Sequence, residues 1–205
     1  GQRHLLDLEI GYRDGRLSVP AGLVRGQRLM LLLRRLTLST WRTPRFDALP
    51  IPFRAVAANI VTGRKVVFAD GDLAVAIRAS MSVPGAFAPV KVGDQLLVDG
   101  GMADNVPVEE VRAMGATRLV VVDVGSPLLP EAQLTNPALI LDQMVTALMT
   151  EKTERSLATL GAGDVLIRPE LGDITAGQFN RGAEAIAAGE RAAEALLPQL
   201  RRHAL

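Results

Sequence analysis

The tripeptide Asp99-Gly100-Gly101 is the place in this sequence where residue types and spacing point to chemistry. It closes a short apolar run, Leu96-Leu97-Val98, and precedes a helix start. A carboxylate is thereby set at the mouth of a strand. The two residues after it carry no side chain, which lets a backbone or a substrate come close. A carboxylate there can act as a general base, at the sheet end where open α/β folds hold their ligands. An aspartate at its ordinary pKa of about 3.9 is a weak base near neutrality, so partial burial must raise it. The bland use of the same three residues is a tight turn.

A base needs a nucleophile within reach, and the sequence offers poor ones. No Gly-x-Ser-x-Gly elbow, the strained turn that exposes a nucleophilic serine, occurs in the 205 residues. Ser80 and Ser82 fall at the end of an expected helix just before Pro84, where hydroxyls bond local carbonyls. Ser126, in Gly125-Ser126-Pro127, reads as a turn residue. The two histidines, His4 and His203, stand at opposite ends of the chain, poor material for a relay or a zinc site. Cysteine is absent, which removes disulfides, thiolate metal sites and cysteine nucleophiles together. Neither a metal nor a cofactor is expected. Asp123 could hold a ribose hydroxyl at a strand end, but Gly100-Gly101 lacks the glycine spacing of a dinucleotide loop.

The elements that must position Asp99 can be read from periodicity and punctuation. Residues 53–60 and 66–69 read as strands joined at Thr62-Gly63. Asp72 is placed to cap a helix over 73–81 that Pro84-Gly85 ends. Beyond the glycines, Asp104 or Asn105 can cap a helix begun by Pro107, with Glu109 and Glu110 in its first turn and Gly115 as its stop. Residues 119–124 form a nearly continuous apolar run, the pattern of a strand buried on both faces, so strand, helix and strand predict a βαβ unit. Outside this block, residues 5–18 suggest a hairpin about Asp14-Gly15, and 22–38 an amphipathic helix with Leu29, Leu32, Leu33 and Leu36 on one stripe. Residues 137–160 form a long helix capped by Asn136, and 164–167 a further strand. Residues 178–202 make a final alanine-rich helix with Phe179, Ile186, Ala193, Leu197 and Leu200 buried.

Composition bounds the functional classes. With 48% hydrophobic and 22% charged residues the chain can bury a full core, and it shows no repeat or linker that divides residues 1–205 into separate domains. The net charge of +1 conceals an asymmetry: residues 1–50 carry nine arginines against four acids. A basic quarter favours an anionic surface. Nucleic acid is a poor match, because aromatic residues total only 3% and leave little to stack on bases. The basic amphipathic stretch 22–38 reads first as a surface helix packed on the core, and its functional alternative is a lipid interface with the arginines at the phosphates.

Several of these segments together resemble the patatin-like phospholipases, bacterial members in particular. The resemblance rests on Ala79-Ser80-Met81-Ser82-Val83-Pro84-Gly85 with Phe87 and Pro89, on Asp99-Gly100-Gly101, on Asn105-Val106-Pro107, on Met114-Gly115-Ala116 and on Val121-Val122-Asp123-Val124. Leu49-Pro50-Ile51-Pro52-Phe53-Arg54 and Thr62-Gly63 resemble the segment before that block, so the likeness runs in order over 49–125, with 126–205 as trailing helices. The resemblance implies a three-layer α/β fold with a mainly parallel sheet flanked by helices, of which this chain is the C-terminal portion. It implies a serine–aspartate dyad hydrolase of lipid acyl esters, phospholipid or lysophospholipid, that works without histidine or metal. Asp99 matches the dyad base, and Gly100 and Gly101 complete its motif. The serine elbow and the glycine-rich oxyanion loop match nothing in this sequence, so the chain by itself is expected to be inactive. The alternative is a non-catalytic lipid-binding or interaction module on a degenerate patatin-like fold. Localisation stays open between cytoplasmic and exported, membrane-associated placement.

Overall fold

The computed structural model describes residues 11–13, 16–18, 22–24, 26–174 and 178–202. His4, His203 and the Asp14-Gly15 turn lie outside them. Contacts group the chain into two compact units, Gly1–Asp104 and Asn105–Leu205. The boundary falls in the motif block itself, where no shift of composition marks it.

The first unit begins with strands β1 (Gly11–Arg13) and β2 (Arg16–Ser18), paired antiparallel as the sequence predicts, then β3 (Gly22–Val24) and helix α1 (Gln27–Leu36). The helix expected from residue 22 therefore starts five residues later. Gly26 takes a left-handed φ of 69° at the N-cap and separates strand from helix. β4 (Ala55–Asn59) and β5 (Lys65–Phe68) form the predicted hairpin, with Gly63 at φ 69° in its turn. α2 (Leu73–Ser80) starts where expected because the Asp72 carboxylate accepts from the N–H groups of Ala74 and Val75 at 2.9 and 3.3 Å. β6 (Gly85–Phe87), β7 (Val90–Val92), β8 (Gln95–Asp99) and the short helix α3 (Gly101–Asp104) complete the unit.

The largest sheet has the order β5-β4-β8-β7, and every pairing in it is antiparallel. Among the described residues, parallel pairing is confined to β3 with β6 and to a pair in the second unit. The expected mainly parallel sheet is corrected accordingly, while the α/β class stands. Tight turns are the reason: β4–β5 and β7–β8 are joined by hairpins too short for a crossover. β8, expected as the first strand of a βαβ unit, pairs antiparallel with β4 and β7. All five residues of β4 are buried, and α2 packs on β4 and β8 through Ala76 and Ala79, which meet Ala55, Ala57 and Leu97. Alanines on both sides let helix and sheet approach closely.

In the second unit α4 (Val108–Ala113) follows Pro107, which itself occupies the cap position. Neither Asp104 nor Asn105 caps it, because Asp104 belongs to α3 and pairs with Lys65 at 3.0 Å. β9 (Val120–Val122) pairs parallel with β10 (Val165–Ile167), and α5 (Pro137–Leu157) is capped by Asn136 as predicted. The run 119–124 is not buried on both faces: Leu119 is buried, but Val120, Val122 and Val124 are exposed. Val106, Val108, Leu119 and Leu157 form this unit's core cluster. The final helix is broken into α6 (Gly182–Ala195) and α7 (Leu197–Arg201), with Pro198 in the first turn of the second. Ile186 and Leu197, expected in its buried stripe, are exposed, and Ala188 is buried.

Candidate functional site

Asp99 is the last residue of β8, an interior strand, so its backbone is held from both sides. On one side it stands opposite Ala57 of β4. On the other, its N–H donates to the Ser82 carbonyl at 2.9 Å, and the Gly100 N–H donates to the Ser80 carbonyl at 3.1 Å. The end of α2 thus takes the place that a neighbouring strand would otherwise fill. The chain then turns sharply into α3, whose first bonds run from the N–H groups of Ala103 and Asp104 to the Gly100 carbonyl.

Both glycines of the motif have identifiable work. A Cβ at Gly100 would stand 2.0 Å from the Val56 carbonyl oxygen, so only glycine fits where the turn crosses β4. The Gly101 N–H donates to Asp99 Oδ1 at 2.7 Å and fixes the orientation of the carboxylate. Among the described residues this is the only hydrogen bond the carboxylate receives, and no cation pairs with it. Desolvation in this half-buried position pushes its pKa up, partly offset by the Gly101 hydrogen bond, which favours the charged form. The result is an uncompensated carboxylate whose second oxygen is left to accept a proton.

The other residues weighed for chemistry sit elsewhere. Ser82 is fully buried, and its hydroxyl donates to the Arg78 carbonyl at 2.6 Å, the local bond expected of it. Ser126 lies in the loop after β9. The Asp123 carboxylate accepts from the Gly125 N–H at 3.1 Å and from Arg168 at 3.0 Å, which leaves it a structural turn residue rather than a ribose anchor. Among the described residues no three metal-ligating side chains converge, and no helix is long and apolar enough to cross a membrane.

Arg78 is the residue the sequence reading passed over. It is 3% exposed, and its guanidinium donates to Ser82 Oγ at 2.5 Å and to the Ala88 carbonyl at 3.3 Å while lying 4.8 Å from the centroid of the Phe87 ring. Its signal was a lone charge on the otherwise apolar Leu73–Ala79 stretch, four residues before Ser82. A groove of about 530 Å³ opens beside it, lined by Gly26, Met30, Leu31 and Val90 among others, with Asp99 outside the lining.

The patatin-like phospholipase family model matches residues 8–112, half of the chain and all of the Asp99 unit's described strands and helices. The chain belongs to the patatin-like phospholipase family. Among curated relatives, an uncharacterized NTE family protein of Mycobacterium tuberculosis is 32% identical over 140 residues, covering 68% of this chain and 36% of that protein. A second uncharacterized NTE family protein of the same species is 29% identical over 206 residues, covering 89% of this chain and 34% of that protein. Lysophospholipase NTE1 of Cryptococcus neoformans is 42% identical over 76 residues, 37% of this chain and 5% of its own length. This patatin-like chain thus spans about a third of the length of the mycobacterial relatives it matches.

Proposed function

We propose that this chain carries the base of a serine–aspartate lipid acyl hydrolase, with Asp99 as that base and the nucleophilic serine outside these 205 residues. Family membership and the lysophospholipase among the relatives support the reaction class. The observation that carries the assignment is the Asp99 carboxylate itself: half-buried, unpaired with any described cation, aimed by one backbone N–H and raised in pKa. Such a group takes the proton from a serine hydroxyl as the oxygen attacks the acyl carbonyl. The carboxyl passes that proton to the departing alcohol oxygen, and an acyl-enzyme remains. The regenerated carboxylate then takes a proton from the attacking water and returns it to the serine as the fatty acid is released. No metal is required by this sequence of steps.

The substrate is a phospholipid, lysophospholipid or other acyl-ester lipid, met at a membrane surface through the region 22–38. Support comes from α1 and the residues after it: Leu31, Leu32, Leu36, Leu38 and Trp41 are exposed between Arg28, Arg34, Arg35 and Arg42. Apolar side chains interleaved with arginines suit the boundary between acyl chains and phosphates. The single site residue assigned here, Asp99, is tested in the full-length protein with a lysophospholipid and a short-chain p-nitrophenyl ester. Asp99→Asn is expected to lower kcat by about a thousand-fold or more, in line with the loss of a dyad member. Wild-type turnover that survives Asp99→Asn refutes the assignment. A folded full-length wild type that binds vesicles yet hydrolyses neither ester favours the non-catalytic module.

A further inference from the structure

Arg78 presents an energetic problem that its own unit does not solve. Burying a guanidinium is unfavourable unless an opposite charge accompanies it. Among the described residues no carboxylate pairs with Arg78, which rests on Ser82 Oγ, the Ala88 carbonyl and the Phe87 ring. An aliphatic side chain at this helix position would pack on the same core at lower cost. The surroundings are nonetheless shaped to the guanidinium: a Cβ at Gly26 would lie 2.6 Å from Nη2, so the N-terminus of α1 is moulded around it.

What the guanidinium holds is the C-terminal end of α2. Helix α2 stops at Ser80, and Ser82 lies just beyond it, its own N–H donating to the Ala79 carbonyl at 3.1 Å. Two side-chain bonds add to that backbone bond: the Ser82 hydroxyl donates to the Arg78 carbonyl and accepts from Arg78 Nη1. The carbonyl of this same Ser82 receives the Asp99 N–H. A continuous line of bonds therefore runs from the Arg78 guanidinium, through Ser82 Oγ and the Ser82 backbone, to the backbone of Asp99.

We infer that Arg78 and Ser82 are positioning residues for Asp99, Arg78 locking Ser82 and Ser82 presenting the carbonyl that fixes where β8 ends. The inference rests on the reading of Asp99 as the base. Neither side chain touches the Asp99 carboxylate, so neither is a catalytic residue. Their effect is on aim: a displacement of about 1 Å in a reacting group can cost on the order of a hundred-fold in rate without altering substrate binding.

The test uses the full-length protein and measures kcat and KM separately for wild type, Asp99→Asn, Ser82→Ala and Arg78→Ala, with thermal melts alongside. Ser82→Ala and Arg78→Ala are expected to lower kcat at least ten-fold while KM stays within two-fold. Ethylguanidinium, entering by the groove that Arg78 lines, is expected to restore kcat of Arg78→Ala where sodium chloride of equal strength does not. If Asp99→Asn is inactive but Ser82→Ala keeps kcat within two-fold of wild type, the positioning role is overturned and the base stands. A rise in KM at constant kcat also overturns it. If Asp99→Asn turns over like wild type, the base assignment fails and the inference falls with it. Should Ser82→Ala not melt cooperatively, Ser82→Cys and Arg78→Lys decide by the same kcat and KM criteria.

Discussion

The carbonyl oxygen of Val56 occupies the space that a side chain at Gly100 would need, 2.0 Å from the position of its Cβ. The obstacle is backbone of a fully buried strand, so it cannot swing aside as a flexible side chain would. Gly100→Ala must push β4 from the turn that carries Asp99. The expected cost is about 2–3 kcal/mol, at the upper end for overpacking. Urea unfolding measures it, and a loss of ester hydrolysis in the full-length protein should exceed what the stability change accounts for.

The raised pKa of Asp99 carries a stability consequence with a definite sign. A carboxylate whose folded pKa lies above its unfolded value favours folding below the carboxylate range and opposes it once ionised. Asp99→Asn removes the ionised form while keeping an acceptor for the Gly101 N–H. The variant should melt higher than wild type at pH 7, and the gap should close as pH falls through the carboxylate range. Melting curves from pH 3 to 7 check this, and a variant that melts lower than wild type at pH 7 contradicts the burial argument.

Asp164 behaves in the opposite way. Its buried carboxylate accepts from the N–H groups of Gly161 at 2.8 Å and Leu119 at 2.8 Å and from Arg112 at 2.6 Å. The Gly161 bond first, then Leu119 and Arg112, hold its pKa below the usual range against desolvation. Its contribution is present above the unfolded pKa and lost on acidification. Asp164→Ala leaves two N–H groups and a guanidinium without their acceptor and should cost about 3 kcal/mol at neutral pH. Denaturant titrations at pH 7 and pH 3 should show the difference shrinking at the lower value.

Thr153 offers a gain. Its Oγ1 is buried on α5 without a hydrogen-bond partner among the described residues. Thr153→Val keeps the shape and removes the unsatisfied hydroxyl, so stability should rise by about 1 kcal/mol. An unchanged or lower unfolding midpoint counts against the described burial.

Trp41 is the single tryptophan of the 205 residues and is 81% exposed beside the exposed leucines. If this region meets lipid, the emission lost in Trp41→Phe should shift to the blue on vesicles containing anionic phospholipid and much less on zwitterionic ones. Reversing Arg28, Arg34 and Arg35 to glutamate should abolish the shift. Emission unmoved by anionic vesicles retires the membrane contact.

Several turns and caps that short stretches of chain close on themselves were determined by the sequence. Asp72 and Asn136 cap the helices assigned to them, Thr62-Gly63 turns the hairpin, and Gly115 at φ 94° stops α4. Asp99-Gly100-Gly101 was readable as a carboxylate at a strand end for the same reason: turn residues act locally. The pairing of β4 with β8, by contrast, joins segments far apart along the chain, and only the tertiary structure decided it. Burial followed the same divide. Of the α1 stripe, Leu33 is buried while Leu32 and Leu36 are 51% and 69% exposed, a difference that periodicity alone cannot express. Arg78 looked like an ordinary surface charge until α2, α1 and the Phe87 strand closed around it, because a guanidinium's partners are chosen in space and not along the chain.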